Sequence, residues 1–282
     1  MPQAAAKQVK PATAAFGYHL SSADDTVQKA LDTLDDAVRL RGFLNGARLA
    51  FASVASITIG TTSEESDARD STDVLTMRWT GTLTASLASS GAAGLDTGTE
   101  AANTLYHVFV IGDTSGVNTP RAMISLSATA PTMPTGWDVF RRLGSIRNEG
   151  LNLLDFTQVW NGRTRRMYYD ADRNDARVLN GASDTAFTDV DCSDYMPVTS
   201  RAGLIRVEFD NSNGSASDQL HIRENGSTIL SPLIRLAPGA ILAEVMEAML
   251  TFVTDAAQVF EYVVDDAGDE ATISIIAYDD EL

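Results

Sequence analysis

The sequence predicts a mainly β protein: antiparallel β-sandwich or jelly-roll-like domains preceded by a short N-terminal α-helix. Three observations carry that prediction. Short alternating runs rich in Val, Ile, Thr and aromatic residues recur from residue 48 onward. Polar turn clusters such as NSNGSASD, ENGS and DDAGDE separate them. A single amphipathic segment, SSADDTVQKALDTLDDAVRLRG, stands ahead of them.

Residues 1–20 are rich in Ala, Lys and Pro and lack periodicity, as in a flexible or partner-docked arm. The segment that follows has helix punctuation at both ends. Ser22 fits an N-cap, with Asp24 and Asp25 near the positive end of the helix dipole. Arg39 and Arg41 fall in the last turn, and Gly42 supplies the stop. Val27, Leu31, Leu34 and Val38 form a narrow apolar seam at coiled-coil spacing. Two heptads are too short to be stable alone. The seam therefore packs either on its own domain or on copies of itself, and the four residues are candidates for oligomerisation.

Strand patterns then succeed one another. SVASITIG alternates, TSEESDARDSTD reads as an acidic loop, and VLTMRWTGTLTASL alternates again with Leu75, Met77 and Trp79 on one face. Leu105–Ile111 and Ala122–Ser127 read as a strand pair flanking a Gly-, Asn- and Pro-bearing loop, with Tyr106, Phe109 and Ile111 as scaffold. Pro131, Pro134 and Gly136 mark turns before WDVFRRLGSIR. Asn161-Gly162, between LLDFTQVW and RTRRMYYD, is a hairpin signal. Further strands are expected at RVLNG, AFTDVDC, AGLIRVEFD, DQLHIREN, AEVMEAMLTFVT, QVFEYVVD and ATISIIAYD. Within these, EVMEAML also fits a helical turn. The domain plan is an arm at 1–20, an oligomerisation helix and connector at 21–47, a first β-domain at 48–182 and a C-terminal β-sandwich domain at 183–282.

A net charge of −17 argues against a general nucleic-acid binder and against attraction to anionic membranes. No apolar run approaches the ~20 residues of a membrane span, and residues 1–20 lack the apolar core of a cleaved signal. Cys192 is the only cysteine, so no intrachain disulfide is expected, consistent with assembly in a reducing cytosol. Charge is unevenly distributed. Eight arginines face five acids from Arg141 to Arg177, whereas four arginines face nineteen acids from Val178 to Leu282. The basic belt is either solvated surface or an electrostatic contact between subunits or with a partner. Arg141, Arg142, Arg163, Arg165 and Arg166, with Trp160 and Tyr168, are its candidate contact residues; the aromatic side chains fit a core, a subunit interface or a glycan platform.

No catalytic residue, metal ligand or cofactor is expected. His19, His107 and His221 are far apart in unlike contexts, and none belongs to a zinc pattern. Cys192 has no local base, and Ser145 and Ser200 lack a nucleophile-elbow context. Asp170, Asp172 and Asn174 begin like a calcium loop, but Asp175 and Gly181 stand where Gly and Glu belong. The acids Asp265, Asp266, Asp269 and Glu270 read as a turn with at most weak cation binding.

Three phrases, ADDTVQKALDTLDDAV, NTLYHVFVIGDTSG and PTMPTGWDVFRRLGSIR, resemble segments of tailed-bacteriophage virion proteins, especially fibre, spike and appendage proteins. The later DVDCSDYMPVTSRAGLIRVEF and TDAAQVFEYVVDDAGDEATISIIAYDDEL are similar to the β-domain that often follows. The resemblance implies a non-enzymatic homotrimer that attaches by its N-terminus and projects its β-domains. Its expected partners are copies of itself, other virion proteins and host surface polysaccharide, with no nucleic acid and no membrane insertion. Its expected location is the virion, assembled in the host cytoplasm. The alternatives are a capsid decoration (cement) protein and, behind it, a carbohydrate-active enzyme.

Overall fold

The computed structural model describes residues 44–45, 47–60, 63–69, 74–161, 164–169, 176–212, 218–228, 234–237 and 244–281. The seam at Val27, Leu31, Leu34 and Val38, the arm, Arg163 and the calcium-like stretch at 170–175 lie outside them.

The described chain is mainly β and contains no helix. Its first half comprises β1 (Leu44–Asn45), β2 (Leu49–Ser53), β3 (Ser56–Ile59), β4 (Ser63–Arg69), β5 (Val74–Thr80), β6 (Leu83–Ser86), β7 (Thr104–Gly112), β8 (Arg121–Ser125), β9 (Val139–Glu149) and β10 (Asn152–Leu153). The second half comprises β11 (Phe156–Asn161), β12 (Thr164–Tyr169), β13 (Arg177–Ala182), β14 (Thr188–Asp191), β15 (Ser200–Asn211), β16 (Leu220–Glu224), β17 (Ile234–Leu236), β18 (Glu244–Val253), β19 (Val259–Val264) and β20 (Glu270–Asp280). These strands form antiparallel sheets. One runs β1-β4-β9-β7-β8, with β10 on β9 and β5 on β4. The largest runs β18-β15-β20-β12-β11-β2-β3-β6, with β13 on β20. The third runs β14-β19-β16-β17.

Alternation explains where the core sits. Tyr106, Val108 and Val110 of β7 join Leu49, Ile57, Met167, Ile205, Val207, Phe209, Phe260 and Ile273 in one apolar cluster fed by all three sheets. Phe109 and Ile111 point the other way and pack with Met123, Trp137 and Phe140 in a smaller cluster. The nine-stranded sheet takes strands from both sides of residue 182, the boundary expected between the two β-domains.

Two local readings are corrected. SVASITIG is not a single strand: Ser53 ends β2, Val54 and Ala55 form a two-residue turn, and Ser56 pairs back on Ser53. The acidic stretch read as a loop contains β4, laddered on β5 from Ser63↔Thr80 to Arg69↔Val74. Backbone hydrogen bonds to a neighbour hold a strand there despite its polar composition.

Gly203 shows how closely β15 approaches its neighbours. A Cβ at that position would overlap the Ala277 carbonyl oxygen and lie 3.0 Å from Phe252 Cε1 and 3.2 Å from Tyr278 Cα. Gly203→Ala therefore has to push β15 away from β20. It is expected to lose about 1–3 kcal/mol of stability in urea unfolding; a variant as stable as the parent would disprove this close packing.

Candidate functional site

The densest group of chemistry-bearing side chains lies where β9 and β7 of one sheet meet β20 of another. Ser145 stands directly opposite His107 in the β7–β9 ladder. Their side chains meet at 2.8 Å through His107 Nδ1 and Ser145 Oγ. Ser145 Oγ donates to Asp280 Oδ2 at 2.8 Å. Asp280 Oδ1 accepts from Arg142 Nη1 at 2.7 Å and from Thr199 Oγ1 at 2.6 Å. Arg142 Nη1 also donates to Thr199 Oγ1 at 3.0 Å. Behind the group, the Tyr278 hydroxyl donates to the Ser145 carbonyl at 2.8 Å.

Proton inventory fixes the roles. A serine hydroxyl has one hydrogen, and an ionised carboxylate only accepts. With the Ser145 hydrogen directed to Asp280, His107 donates through Nδ1, so the neutral ring carries its proton there. Burial, then the neighbouring Arg142 charge, lower the His107 pKa to about 4, with Asp280 pulling weakly the other way. The ring is neutral at pH 7.

A second buried polar group adjoins the first. Gln158 Oε1 accepts from the Leu49 amide at 2.8 Å and from Arg165 Nη1 at 3.0 Å. Gln158 Nε2 donates to the Leu143 carbonyl at 2.9 Å. Gly144 separates the two groups. The β7–β9 register shifts between Val108 and Phe109, so β9 carries an extra residue at this point. Gly144 has φ +154°, and a Cβ there would stand 2.9 Å from Gln158 Nε2 and 3.0 Å from Leu49 Cδ1. Only glycine fits both that backbone and that space.

The arrangement is a fastening between sheets. In a nucleophile–base–carboxylate relay the imidazole stands between serine and carboxylate. Here the serine stands between the other two, and it is fully buried, as is Asp280.

The belt residues are distributed as follows. Arg142 and Arg165 direct their guanidinium groups to the intrachain partners just described. Arg166 forms a two-pronged pair with Asp279, Nε–Oδ1 and Nη2–Oδ2 both at 2.6 Å, across the β12–β20 ladder. Arg141 is half-buried on β9 opposite Val110. Tyr168 is half-buried on β12, and Trp160 occupies the β11 position opposite Arg165. Cys192 is buried, and that burial raises its thiol pKa well above the usual range, so it is not a thiolate at neutral pH. The sequence pointed to the arginines, but it did not link them to Asp279 and Asp280.

The loop after β7 is a second ordered polar feature. Asp113 accepts from Ser115 N at 2.8 Å, Ser115 Oγ at 2.6 Å, Asn118 N at 2.8 Å and Asn118 Nδ2 at 3.0 Å. The Ser115 hydroxyl and the Asn118 amide lead in lowering its pKa to about 2. Asn118 Nδ2 also donates to the Gly136 carbonyl at 2.8 Å, tying this loop to the turn before β9. Among the described residues, no three His, Cys, Asp or Glu side chains converge as a metal-ligand set. No helix there is long and apolar enough to cross a membrane.

No protein-family model matches the chain, and no curated protein matches it.

Proposed function

We propose that this chain is a non-enzymatic structural component of a tailed-phage virion, a fibre- or spike-like appendage whose β-sheets form sandwich-like display domains in a homotrimer. The observation that supports this reading best is where the phage-like phrases fall. NTLYHVFVIGDTSG supplies β7 and its Asp113 loop, and PTMPTGWDVFRRLGSIR supplies the turn and β9. The later phrases supply β15, β19 and β20. The resemblance thus covers the strands that build the common core.

The buried seam supports the same reading. His107, Ser145, Asp280 and Arg142 tie two sheets together, which suits a rigid scaffold. In this role the 1–20 arm and the Val27–Val38 seam attach and oligomerise the chain, while exposed loops meet other virion proteins or host polysaccharide.

Antibodies raised against the chain test the proposal on purified particles of the encoding phage. Gold label on a discrete appendage is the expected result. Label spread over the shell lattice would favour a decoration protein, and absence from the particle would overturn a virion role.

A further inference from the structure

The chain handles carboxylates at its turns in a consistent way. Asp113 accepts four hydrogen bonds, and Asp255 accepts from Ala257 N, Val259 N and Asn225 Nδ2. Asp184 accepts the Tyr262 hydroxyl. Asp269, in the turn joining β19 to β20, departs from this pattern. It is 0% exposed, and neither carboxylate oxygen has a hydrogen-bond partner. Leaving a buried charged group unsatisfied is among the costlier arrangements in a folded chain.

Its neighbours make the arrangement worse. The charges that act on it are Asp218, Asp266 and Asp210, all of its own sign. Burial first and then these acids raise its pKa, while the nearby Ser212 backbone N–H, which makes no hydrogen bond to it, acts in the opposite direction. Around it, Asp266 Oδ1 accepts the Gly268 amide at 2.8 Å, and the Ser212 hydroxyl donates to the Gly268 carbonyl. Asp266 Oδ1 and Ser212 Oγ would lie 3.1 and 3.3 Å from a Cβ at Gly268, so two side-chain oxygens pack against the residue before Asp269.

We infer that the turn at Asp265–Asp269, with Asp210, Ser212 and Asp218 beside it, binds a divalent cation through the buried Asp269 carboxylate. Hard divalent cations take oxygen ligands and retain water where protein ligands run out. Since no three acidic side chains are already converged there, Asp269 ligates directly while the other acids act through water or charge. The ion would pin the β19–β20 turn to the end of β15.

Calcium and magnesium chlorides are the probes. The full chain, stripped with chelator and desalted, is titrated by calorimetry and melted at matched ionic strength. Saturable binding and a raised melting temperature are expected with one of the two ions. Asp269→Asn should lower that affinity more than about tenfold and remove the thermal response. Asp266→Asn, which keeps an acceptor for the Gly268 amide, should weaken it too, and serves if Asp269→Asn fails to fold. The inference is overturned if the parent shows no saturable binding. It is also overturned if the response survives Asp269→Asn, or is lost instead in Asp170→Asn.

Discussion

Asp280→Ala is expected to destabilise the fold by about 3–5 kcal/mol, the largest loss from any single side chain in the buried seam. The carboxylate is fully buried and takes three donors: Arg142 and Ser145 of β9, and Thr199 just before β15. Truncation leaves the Arg142 guanidinium, only 10% exposed, without its counter-charge. It also leaves two hydroxyls facing a cavity. The greater part of the loss is the penalty of the orphaned arginine rather than the net value of the pair. Arg142→Met in the Asp280→Ala background should therefore restore part of the stability, giving a strongly non-additive double-mutant cycle. Urea unfolding of the four proteins measures it. Additive losses, or an Asp280→Ala variant within about 1 kcal/mol of the parent, would show that the seam does not fasten the sheets.

How much of this was legible in the sequence depended on whether the signal was local. The β7–β8 pair and the β11–β12 hairpin were readable, because alternation and turn chemistry lie within a few residues of one another, although Asn161, read as part of the turn, ends β11 paired with Thr164. The β4 strand was not, since SEESDAR has the composition of a loop and owes its conformation to β5. AEVMEAMLTFVT is expected as a strand, although EVMEAML also fits a helical turn, and the structure settles that ambiguity. The segment's Glu, Met, Ala and Leu favour a helix, yet it forms β18 in an unbroken ladder from Ala202↔Val253 to Asn211↔Glu244. Tertiary pairing overrides propensity there. The seam was the least legible feature. Ser145 and Asp280 are 135 positions apart, and Arg166 and Asp279 are 113 apart. A charge census finds an arginine belt before an acidic region, but only the β12–β20 register brings Arg166 to Asp279, and only the packing of two sheets brings Arg142 to Asp280. Asp269 carried no signal beyond membership of an acidic turn, because burial without a donor is a property of the fold alone.

The second large effect is a loss of stability on mild acidification. His107 is 5% exposed, and its folded pKa lies near 4 against an ordinary value of 6.5. A base whose folded pKa is lowered binds fewer protons folded than unfolded between those values, so stability rises with pH across the window. The contribution is intact above pH 6.5 and is lost as pH falls toward 4, about 3 kcal/mol in all. Between pH 7 and pH 5 the share is about 2 kcal/mol, in a range where ordinary carboxylates have hardly begun to titrate. The structural cause is specific. Protonating the ring places a second cation beside Arg142 in a largely buried site, and Asp280 already serves Arg142, Ser145 and Thr199. His107→Asn keeps a donor for Ser145 Oγ but cannot take up the proton. Its unfolding free energy should fall about 2 kcal/mol less than that of the parent between pH 7 and pH 5. Equal slopes for the two proteins would place the acid sensitivity elsewhere and remove His107 from the seam's energetics.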